Sequence, residues 1–178
     1  MEIDSSRISL RPFNLSDVDD FMLWAGDDQV TQFLRWNSFT SREEALTFIK
    51  DVSIPHPWHR SICIDDRSIG FIYIFPGSGD ERCRAEIGYG LATKYWGQGI
   101  TSRAVKMALS IVFKDFPDLV RLQAHALVEN KASQRVLEKA GFQQEGLLRK
   151  YSFVKGKVRD LLIYSLLSTD SYQQTSTT

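Results

Sequence analysis

The residue pattern with the clearest chemical meaning is a pair of glycines, Gly97 and Gly99. It lies between a strand-like run over 84–91 and a helical pattern that starts at Ile100. Glycine has no side chain to obstruct a ligand, and the free amides at a helix start carry the positive end of the helix dipole. This arrangement is typical of a phosphate or diphosphate site that needs no metal. A turn that merely starts a helix is the alternative.

The surrounding sequence excludes two common nucleotide-binding folds. The predicted helix buries one face, formed by Ile100, Ala104, Val105, Ala108, Leu109, Val112 and Phe113, and a strand is predicted over 119–127. A dinucleotide fingerprint would need a glycine where Ser102 stands and an acidic residue about 20 residues later at a strand end. A nucleoside-triphosphate loop would need Gly-Lys-Ser or Gly-Lys-Thr. The sequence has neither pattern.

A second motif follows one strand later, over 130–142. Asn130 is placed to cap a helix, Leu137 lies on its predicted inner face, and Gly141 is a typical helix stop. A glycine-started helix, a strand, and then a helix with Asn-x-x-Ser at its start resemble the GNAT acyl-CoA-dependent N-acetyltransferases. The resemblance covers roughly residues 8–166, and it is strongest to the RimJ/RimL-like branch of ribosomal-protein N-terminal acetyltransferases.

This resemblance implies an α/β GNAT fold with a mixed, mostly antiparallel twisted sheet, a splayed strand pair and flanking helices. It also implies acetyl-CoA as the co-substrate, with the pantetheine arm along the backbone of Tyr89 and Leu91. The pyrophosphate is expected on the segment formed by Trp96, Gly97, Gln98, Gly99, Ile100 and Thr101. Trp96 and Thr101 depart from the general family pattern, although a tryptophan is usual in the RimJ/RimL-like branch.

Acetyl transfer to an amine needs a group that accepts a proton from that amine. Glu86 is the predicted base, because strand alternation places it on one face with Gly88 and Gly90 and would leave that face open. Its apolar sequence neighbours would raise the pKa of its carboxylate. A strand-edge glutamate paired with Arg84 or Arg82 is the alternative.

The departing thiolate also needs a proton, and its donor is harder to assign. Many family members carry a tyrosine on the second motif's helix, where this chain has Leu137. The resemblance implies Ser133 as the acid and also as a cofactor-binding residue, with Asn130 holding the pantetheine or ordering a water molecule. Tyr151 and Ser152 are the reserve candidates. A helix-start serine that bonds a backbone amide is the alternative for Ser133.

One domain over 1–167 is predicted to hold these residues, followed by a polar and disordered tail over 168–178. Strands are predicted over 7–10, 58–64, 69–75, 84–91, 119–127, 146–153 and 158–166. Further helices are predicted after the caps Ser16–Asp19 and Ser41–Glu44. Between those two helices, Phe33, Leu34, Trp36 and Phe39 either pack under a loop or line the acceptor pocket.

The composition limits which partners the protein is expected to bind and where in the cell it is expected to act. The 178 residues carry 22 basic and 22 acidic side chains, so the chain has no basic footprint for nucleic acid or an anionic membrane. No signal-like or membrane-spanning run is present, which predicts a cytoplasmic protein. The spacing of Cys63 and Cys83, and of the three histidines, predicts neither a disulfide nor a metal site.

The sequence leaves the acceptor amine open, because the loops over 27–40, 55–60 and 151–157 would shape its pocket. Resemblance to the ribosomal-protein branch favours a protein or peptide amino terminus, attacked directly in a ternary complex. A small amine such as a polyamine is one alternative. A CoA-binding sensor with weak catalysis is another, and the chain is expected to be a monomer or a homodimer.

Overall fold

Seven strands form one sheet in the computed structural model, which describes residues 4–170. The strands are β1 (Ile8–Pro12), β2 (His59–Ile64), β3 (Arg67–Pro76), β4 (Arg84–Leu91), β5 (Arg121–Leu127), β6 (Gln143–Val154) and β7 (Lys157–Leu167). They lie in the order β1-β2-β3-β4-β5-β7-β6, and only the β4–β5 pair is parallel. The expected mixed, mostly antiparallel sheet is confirmed.

The parallel pair at the centre of the sheet is short and then opens. β4 and β5 pair over three positions, the last of which joins Glu86 to Gln123. Past that point β4 stays bonded to β3, and β5 stays bonded to β7. Because Ala92 bonds toward β3 and hydrogen-bonding direction alternates along a strand, the backbone groups of Tyr89 and Leu91 point into the gap. The predicted splayed strand pair therefore lies at the end of β4.

Within residues 4–170, five α-helices flank the sheet: α1 (Val18–Ala25), α2 (Asp28–Thr31), α3 (Arg42–Phe48), α4 (Ile100–Asp115) and α5 (Lys131–Lys139). The predicted cap of α3 is confirmed, since the Glu44 amide donates to Ser41 Oγ at 3.1 Å. The predicted Ser16–Asp19 cap of α1 was wrong. The chain is capped two residues earlier, where the Asn14 amide donates to Asp17 Oδ2 at 2.8 Å and a 3-10 turn leads into the helix.

Several predicted bounds shift by a few residues. β1 extends through Pro12, and β5 begins only at Arg121, so Val120 lies outside the strand and is exposed. The β2–β3 turn is two residues long, because Asp65 and Asp66 both adopt positive φ, which suits a tight hairpin. In the segment between α1 and α3, the chain forms the short helix α2 instead of a continuous loop.

Apolar packing places the starts of α4 and α5 beside the open end of β4. The predicted inner face of α4 is buried against the sheet, with Ala104, Ala108 and Val112 fully covered. Leu137 of α5 joins the same core, and Gly141 ends that helix with a φ of 94°. A second apolar cluster, which includes α1 and α3, covers the opposite face of β3 at Phe71 and Tyr73.

Three further features concern the end of the chain, the cysteines and the apolar character of the helices. Residues 168–170 form a turn after β7, and the rest of the predicted tail, 171–178, lies outside the described residues. Cys63 and Cys83 are free thiols that form no disulfide with each other. Across residues 4–170 there is no group of three side chains arranged to hold a metal ion. None of the helices described here combines the length and apolar character needed to cross a membrane.

Candidate active site

The loop before α4 has the backbone shape that the two glycines predicted. Gly97 and Gly99 have φ values of 74° and 75°, a region that side chains other than glycine rarely adopt. A Cβ at either position would meet no protein atom, so both residues face open space. The first bond of α4 joins the Arg103 amide to the Gly99 carbonyl, which leaves the amides of residues 100–102 before it.

A groove of about 420 Å³ runs from this loop between the end of β4 and the start of α5; we call it the cofactor groove. It is lined by nine of the ten predicted cofactor residues: Tyr89, Leu91, Trp96, Gly97, Gly99, Ile100, Thr101, Asn130 and Ser133. Gln98 is the exception, because its side-chain amide turns back to donate to the Lys94 carbonyl at 3.1 Å. Trp96 ties the loop to the strand, since its indole donates to the Leu91 carbonyl at 2.8 Å.

Two cations in the groove were missed by the sequence analysis. Arg135 and Lys139 both line it from α5. Their spacing of four residues places them on one helix face, and this pattern is visible in the sequence once the helix is assigned. They supply charged side chains beside the groove. The glycine loop, by contrast, supplies positive potential only through its backbone amides.

Ser133 and Asn130 meet at the start of α5, where the side chain of Tyr89 joins them. The Tyr89 hydroxyl lies 2.9 Å from Ser133 Oγ and also donates to the Ser133 carbonyl at 3.2 Å. Asn130 Oδ1 accepts from the Ser133 amide at 3.1 Å, so Asn130 caps the helix as predicted. Burial raises the pKa of Tyr89, which keeps its hydroxyl protonated. From the sequence, only the backbone of Tyr89 was expected to contact the pantetheine arm.

Glu86 lies where β4 and β5 separate, and it faces a histidine on β5. His125 Nδ1 is 3.4 Å from Glu86 Oε1, and the histidine side chain is only 8% exposed. Tyr151 stacks on the imidazole with ring centroids 5.3 Å apart. The His125 imidazole, 3.4 Å away, lowers the pKa of the Glu86 carboxyl, and the nearby charge of Arg35 adds to this effect, outweighing burial.

These contacts correct two expectations for Glu86. Its pKa is lowered, whereas the apolar sequence neighbours had predicted a raised value. Its partner is not an adjacent arginine, because Arg84 pairs with Glu81 at 2.8 Å and Arg82 pairs with Asp118 at 3.2 Å. His125 is 39 positions away in sequence, so only the pairing of β4 with β5 brings the two side chains together.

The strand face that carries Gly88 and Gly90 is covered, not open as predicted. Tyr73 is the β3 partner of Gly88, and a Cβ on Gly88 would come within 2.5 Å of the tyrosine hydroxyl. Phe71 covers Gly90 in the same way, and the two rings stack in parallel 6.3 Å apart. The glycines therefore make room for aromatic rings from the neighbouring strand. Burial raises the pKa of Tyr73 to about 12.

Three cavities lie side by side and share wall residues. A middle cavity of about 300 Å³ lies between the separated strands, and an aromatic pocket of about 420 Å³ lies beyond Glu86. The middle cavity shares Phe33, Leu34, Tyr89, Asn130 and Ser133 with the cofactor groove. It shares Arg35, Trp36, Phe71, Tyr73 and Glu86 with the aromatic pocket. The three cavities are therefore adjacent, and Glu86 lies where the middle cavity borders the aromatic pocket.

Some of the aromatic residues of the loop before α3 line the cavities, whereas others pack in the core. The two reserve acids also differ in their contacts. Phe33 lines the middle cavity, and Trp36 lines both that cavity and the aromatic pocket. Phe39 instead packs in the core on Phe21 and Phe48. Of the reserve acids, Tyr151 covers His125, and Ser152 Oγ donates to the adjacent Phe153 carbonyl at 3.4 Å.

Comparison with known proteins gives consistent results. The family described as acetyltransferase (GNAT) domain matches residues 7–143. The uncharacterized N-acetyltransferase p20 of Bacillus licheniformis is 33% identical over 175 residues, which cover 93% of this chain and 96% of p20. A GNAT-family acetyltransferase structure from Bacillus anthracis has a TM-score of 0.83 at 25% identity, covering 96% of this chain and 100% of that one. Mycobacterium smegmatis RimJ, solved with CoA-disulfide, has a TM-score of 0.80 at 26% identity, covering 90% and 82%.

The open strand pair beside a glycine-started helix defines an acyl-CoA-dependent acyltransferase. The chain belongs to the GNAT family, and within it the protein is an acetyl-CoA-dependent N-acetyltransferase with RimJ/RimL-like relatives. Acetyl-CoA is its co-substrate, and the cofactor groove fits that role because a positive-φ glycine loop, free helix-start amides and two cations line it. The family and the co-substrate implied by the sequence resemblance are confirmed.

Proposed function

We propose that this N-acetyltransferase transfers the acetyl group directly to a primary amine in a ternary complex, with a protein or peptide amino terminus as the favoured acceptor. The observation that carries the proposal is the row of adjacent cavities from the glycine loop to Glu86 and the aromatic pocket. It gives the two substrates places on opposite sides of the middle cavity. Similarity to the Escherichia coli alanine N-acetyltransferase of ribosomal protein uS5, 27% identical over 84 residues that cover 47% of this chain and 43% of that one, supports the choice of an amino terminus, because the α-amine is the only amine of an alanine.

The cofactor groove assigns the binding groups. The amides that follow Gly97 and Gly99 bind the pyrophosphate, with Arg135 and Lys139 supplying additional positive charge. The pantetheine arm lies along β4, where the backbone of Tyr89 and Leu91 points into the gap. This placement brings the thioester to the middle cavity, between Glu86 and the Ser133–Tyr89 pair.

The proton transfers follow from the groups around the middle cavity. Glu86, held as a carboxylate by His125, accepts the proton of the incoming ammonium group directly or through water. The amine lone pair then forms the C–N bond as the C–S bond breaks, and the nitrogen gives up its second proton as it becomes an amide. The thiolate that leaves receives a proton from Ser133, whose hydroxyl is hydrogen-bonded to Tyr89, and the proton released by the nitrogen restores that hydroxyl through water. Orientation of the two substrates supplies much of the rate.

Replacement of Glu86 tests this assignment. We expect Glu86→Gln to lower kcat/KM by roughly 10²- to 10³-fold, because the proton acceptor is lost while the shape is kept. Thiol release from acetyl-CoA measures the rate, and calorimetry should give an unchanged Kd for CoA. Ser133→Ala should cost about tenfold, since solvent also protonates a thiolate.

The matched control is Glu43→Gln, which removes an exposed carboxylate from α3, outside the three cavities described above. It should leave both the rate and the CoA affinity unchanged. Full activity in Glu86→Gln would refute the role of the carboxylate. A loss of CoA affinity equal to the loss of rate would show instead that Glu86 supports the cofactor groove.

A further inference from the structure

The aromatic pocket begins at Glu86 and extends away from the cofactor groove. We propose that it binds a large aromatic side chain of the acceptor, carried on the carbon next to the α-amine that is acetylated. The inference rests on the proposed function, because it assumes that the amine is bound at Glu86. It adds to that function the class of acceptor that the enzyme selects.

The walls of the pocket are suited to a flat apolar group. Seven phenylalanine, tyrosine and tryptophan rings line its volume of about 420 Å³. Trp24 and Phe71 are buried at its base, while Phe75 is 60% exposed at its edge. The Trp36 ring lies 6.0 Å from the Phe71 ring and 6.3 Å from the Phe48 ring, within the range of aromatic contacts. A further ring can therefore pack against several of these side chains.

The charges of the pocket argue against a polyamine. Burial lowers the pKa of His56 and lowers that of His59 to about 3, so both imidazoles are neutral at pH 7. Among the described residues that line the pocket, Glu86 is the one carboxylate, and it already faces His125. A long polycation would need several counter-charges and would also meet the guanidinium of Arg35.

Arg35 supplies a second contact for an α-amine. It lines both the middle cavity and the aromatic pocket, and within residues 4–170 it forms no ion pair or hydrogen bond. Its charge lies close enough to lower the pKa of Glu86. We therefore place at Arg35 the oxygen that follows the α-carbon. This oxygen is a carboxylate in a free amino acid and a carbonyl in a peptide, and both share the same aromatic α-amine.

The first experiment measures acceptor selection by thiol release from acetyl-CoA. The acceptors are tripeptides that differ only in a first residue of Phe, Trp, Leu, Ser or Ala, together with free phenylalanine, phenylalaninamide and spermidine. We expect kcat/KM to be roughly 10- to 100-fold higher for Phe or Trp than for Ala, the range that burial of one large side chain supports. Comparison of the peptide, amide and free acid identifies which source the enzyme prefers.

The second experiment assigns that preference to the pocket. Phe75→Ala should reduce the Phe-to-Ala ratio several-fold, while Phe153→Ala, which removes another exposed phenylalanine from β6 outside the pocket, should leave it unchanged. Arg35→Gln should lower kcat/KM for phenylalaninamide but not for phenethylamine, because the latter has no oxygen next to the α-carbon. Both pocket variants change exposed side chains, so folding should be retained.

The outcomes separate the inference from the proposed function. Equal rates with Phe- and Ala-starting peptides, or spermidine as the best acceptor, would overturn the aromatic selection while acetyl transfer itself stands. An unchanged Phe-to-Ala ratio in Phe75→Ala would also overturn it. If every α-amine failed to release thiol from protein that binds CoA, the proposed function would fail as well.

Discussion

The cofactor groove and the aromatic pocket border the same middle cavity, yet the chain builds them in different ways. The part of the groove proposed to bind phosphate comes from one segment, 96–101, and depends mainly on backbone geometry. The pocket takes its seven phenylalanine, tyrosine and tryptophan rings from α1, α3, the loop that carries Trp36 and the strand β3. The proposed phosphate site is therefore encoded locally, whereas the pocket proposed to select the acceptor exists only after tertiary packing.

The two regions also differ in electrostatics. The groove is lined by Arg135 and Lys139 beside the amides of a helix start, which suits a polyanionic ligand. The pocket holds two neutral histidines, and its one carboxylate, Glu86, is paired with an imidazole. Changes confined to one region should therefore leave the other intact, and three predictions test that independence.

The largest expected effect lies in the pocket, at His59. Its folded pKa of about 3 is below the ordinary 6.5, so the unfolded chain binds more protons between these pH values. The stability that neutral His59 provides is complete above pH 6.5 and is lost as the pH falls toward 3. At pH 4.5 the loss is roughly 3 kcal/mol, and His59→Phe should not show it.

Denaturant unfolding at pH 7 and pH 4.5 measures this difference for the wild type and the variant. CoA affinity at pH 7 should be the same in both proteins, because His59 does not line the cofactor groove. An identical acid-induced loss of stability in His59→Phe would show that the histidine already protonates in the folded protein. A loss of CoA affinity would break the separation of the two regions.

A smaller effect is expected in the groove, at Gly99. Its positive φ costs a residue with a side chain about 1–2 kcal/mol, and the new Cβ of Gly99→Ala would point into the groove. We expect the Kd for CoA to rise roughly tenfold, equivalent to about 1.4 kcal/mol, with acceptor selection unchanged. Calorimetry and the peptide panel provide the two measurements.

Gly79→Ala is the matched control, because Gly79 also has positive φ and open space around it but lies outside the groove. It should cost similar stability without changing CoA affinity. Equal losses of affinity in the two variants would mean that backbone strain, and not obstruction of the ligand, weakens binding.

The smallest effect concerns the junction between the regions, at His125. Its imidazole lowers the pKa of Glu86, so His125→Asn should raise that pKa and move the acidic limb of the pH profile of kcat/KM to higher pH. Near pH 8 the carboxylate is ionised in either case, and the rate should change little. Tyr151→Phe keeps the ring that stacks on His125 and should leave the limb in place. An unmoved limb in His125→Asn would contradict this coupling.

The elements around the cofactor groove were predicted accurately from sequence patterns. The bounds of β4, the start of α4 at Ile100 and the Asn130 cap of α5 all agree with the structure. These features depend on residues within one or two helical turns of each other, so their patterns survive in the sequence. The first cap of α1 failed because two overlapping Ser/Asn-x-x-Asp patterns compete there, and the chain uses the earlier one.

The residues around Glu86 show where such reasoning stops. A strand pattern tells which neighbours share a face, but not which side chain from another strand covers that face. Tyr73 over Gly88 follows from the β3–β4 register, and His125 opposite Glu86 follows from the short β4–β5 pairing. Both contacts change the chemistry, since they close the expected open face and reverse the expected shift in the Glu86 pKa.

The sequence by itself determined the GNAT family and the co-substrate, and it predicted the glycine loop proposed to receive that co-substrate, because short motifs and helix starts encode these. Tertiary structure alone decided the partner of Glu86, the hydroxyl pair of Tyr89 and Ser133, and the rings of the aromatic pocket. Those features join residues tens of positions apart, and their distances exist only after the strands have paired and the helices have packed.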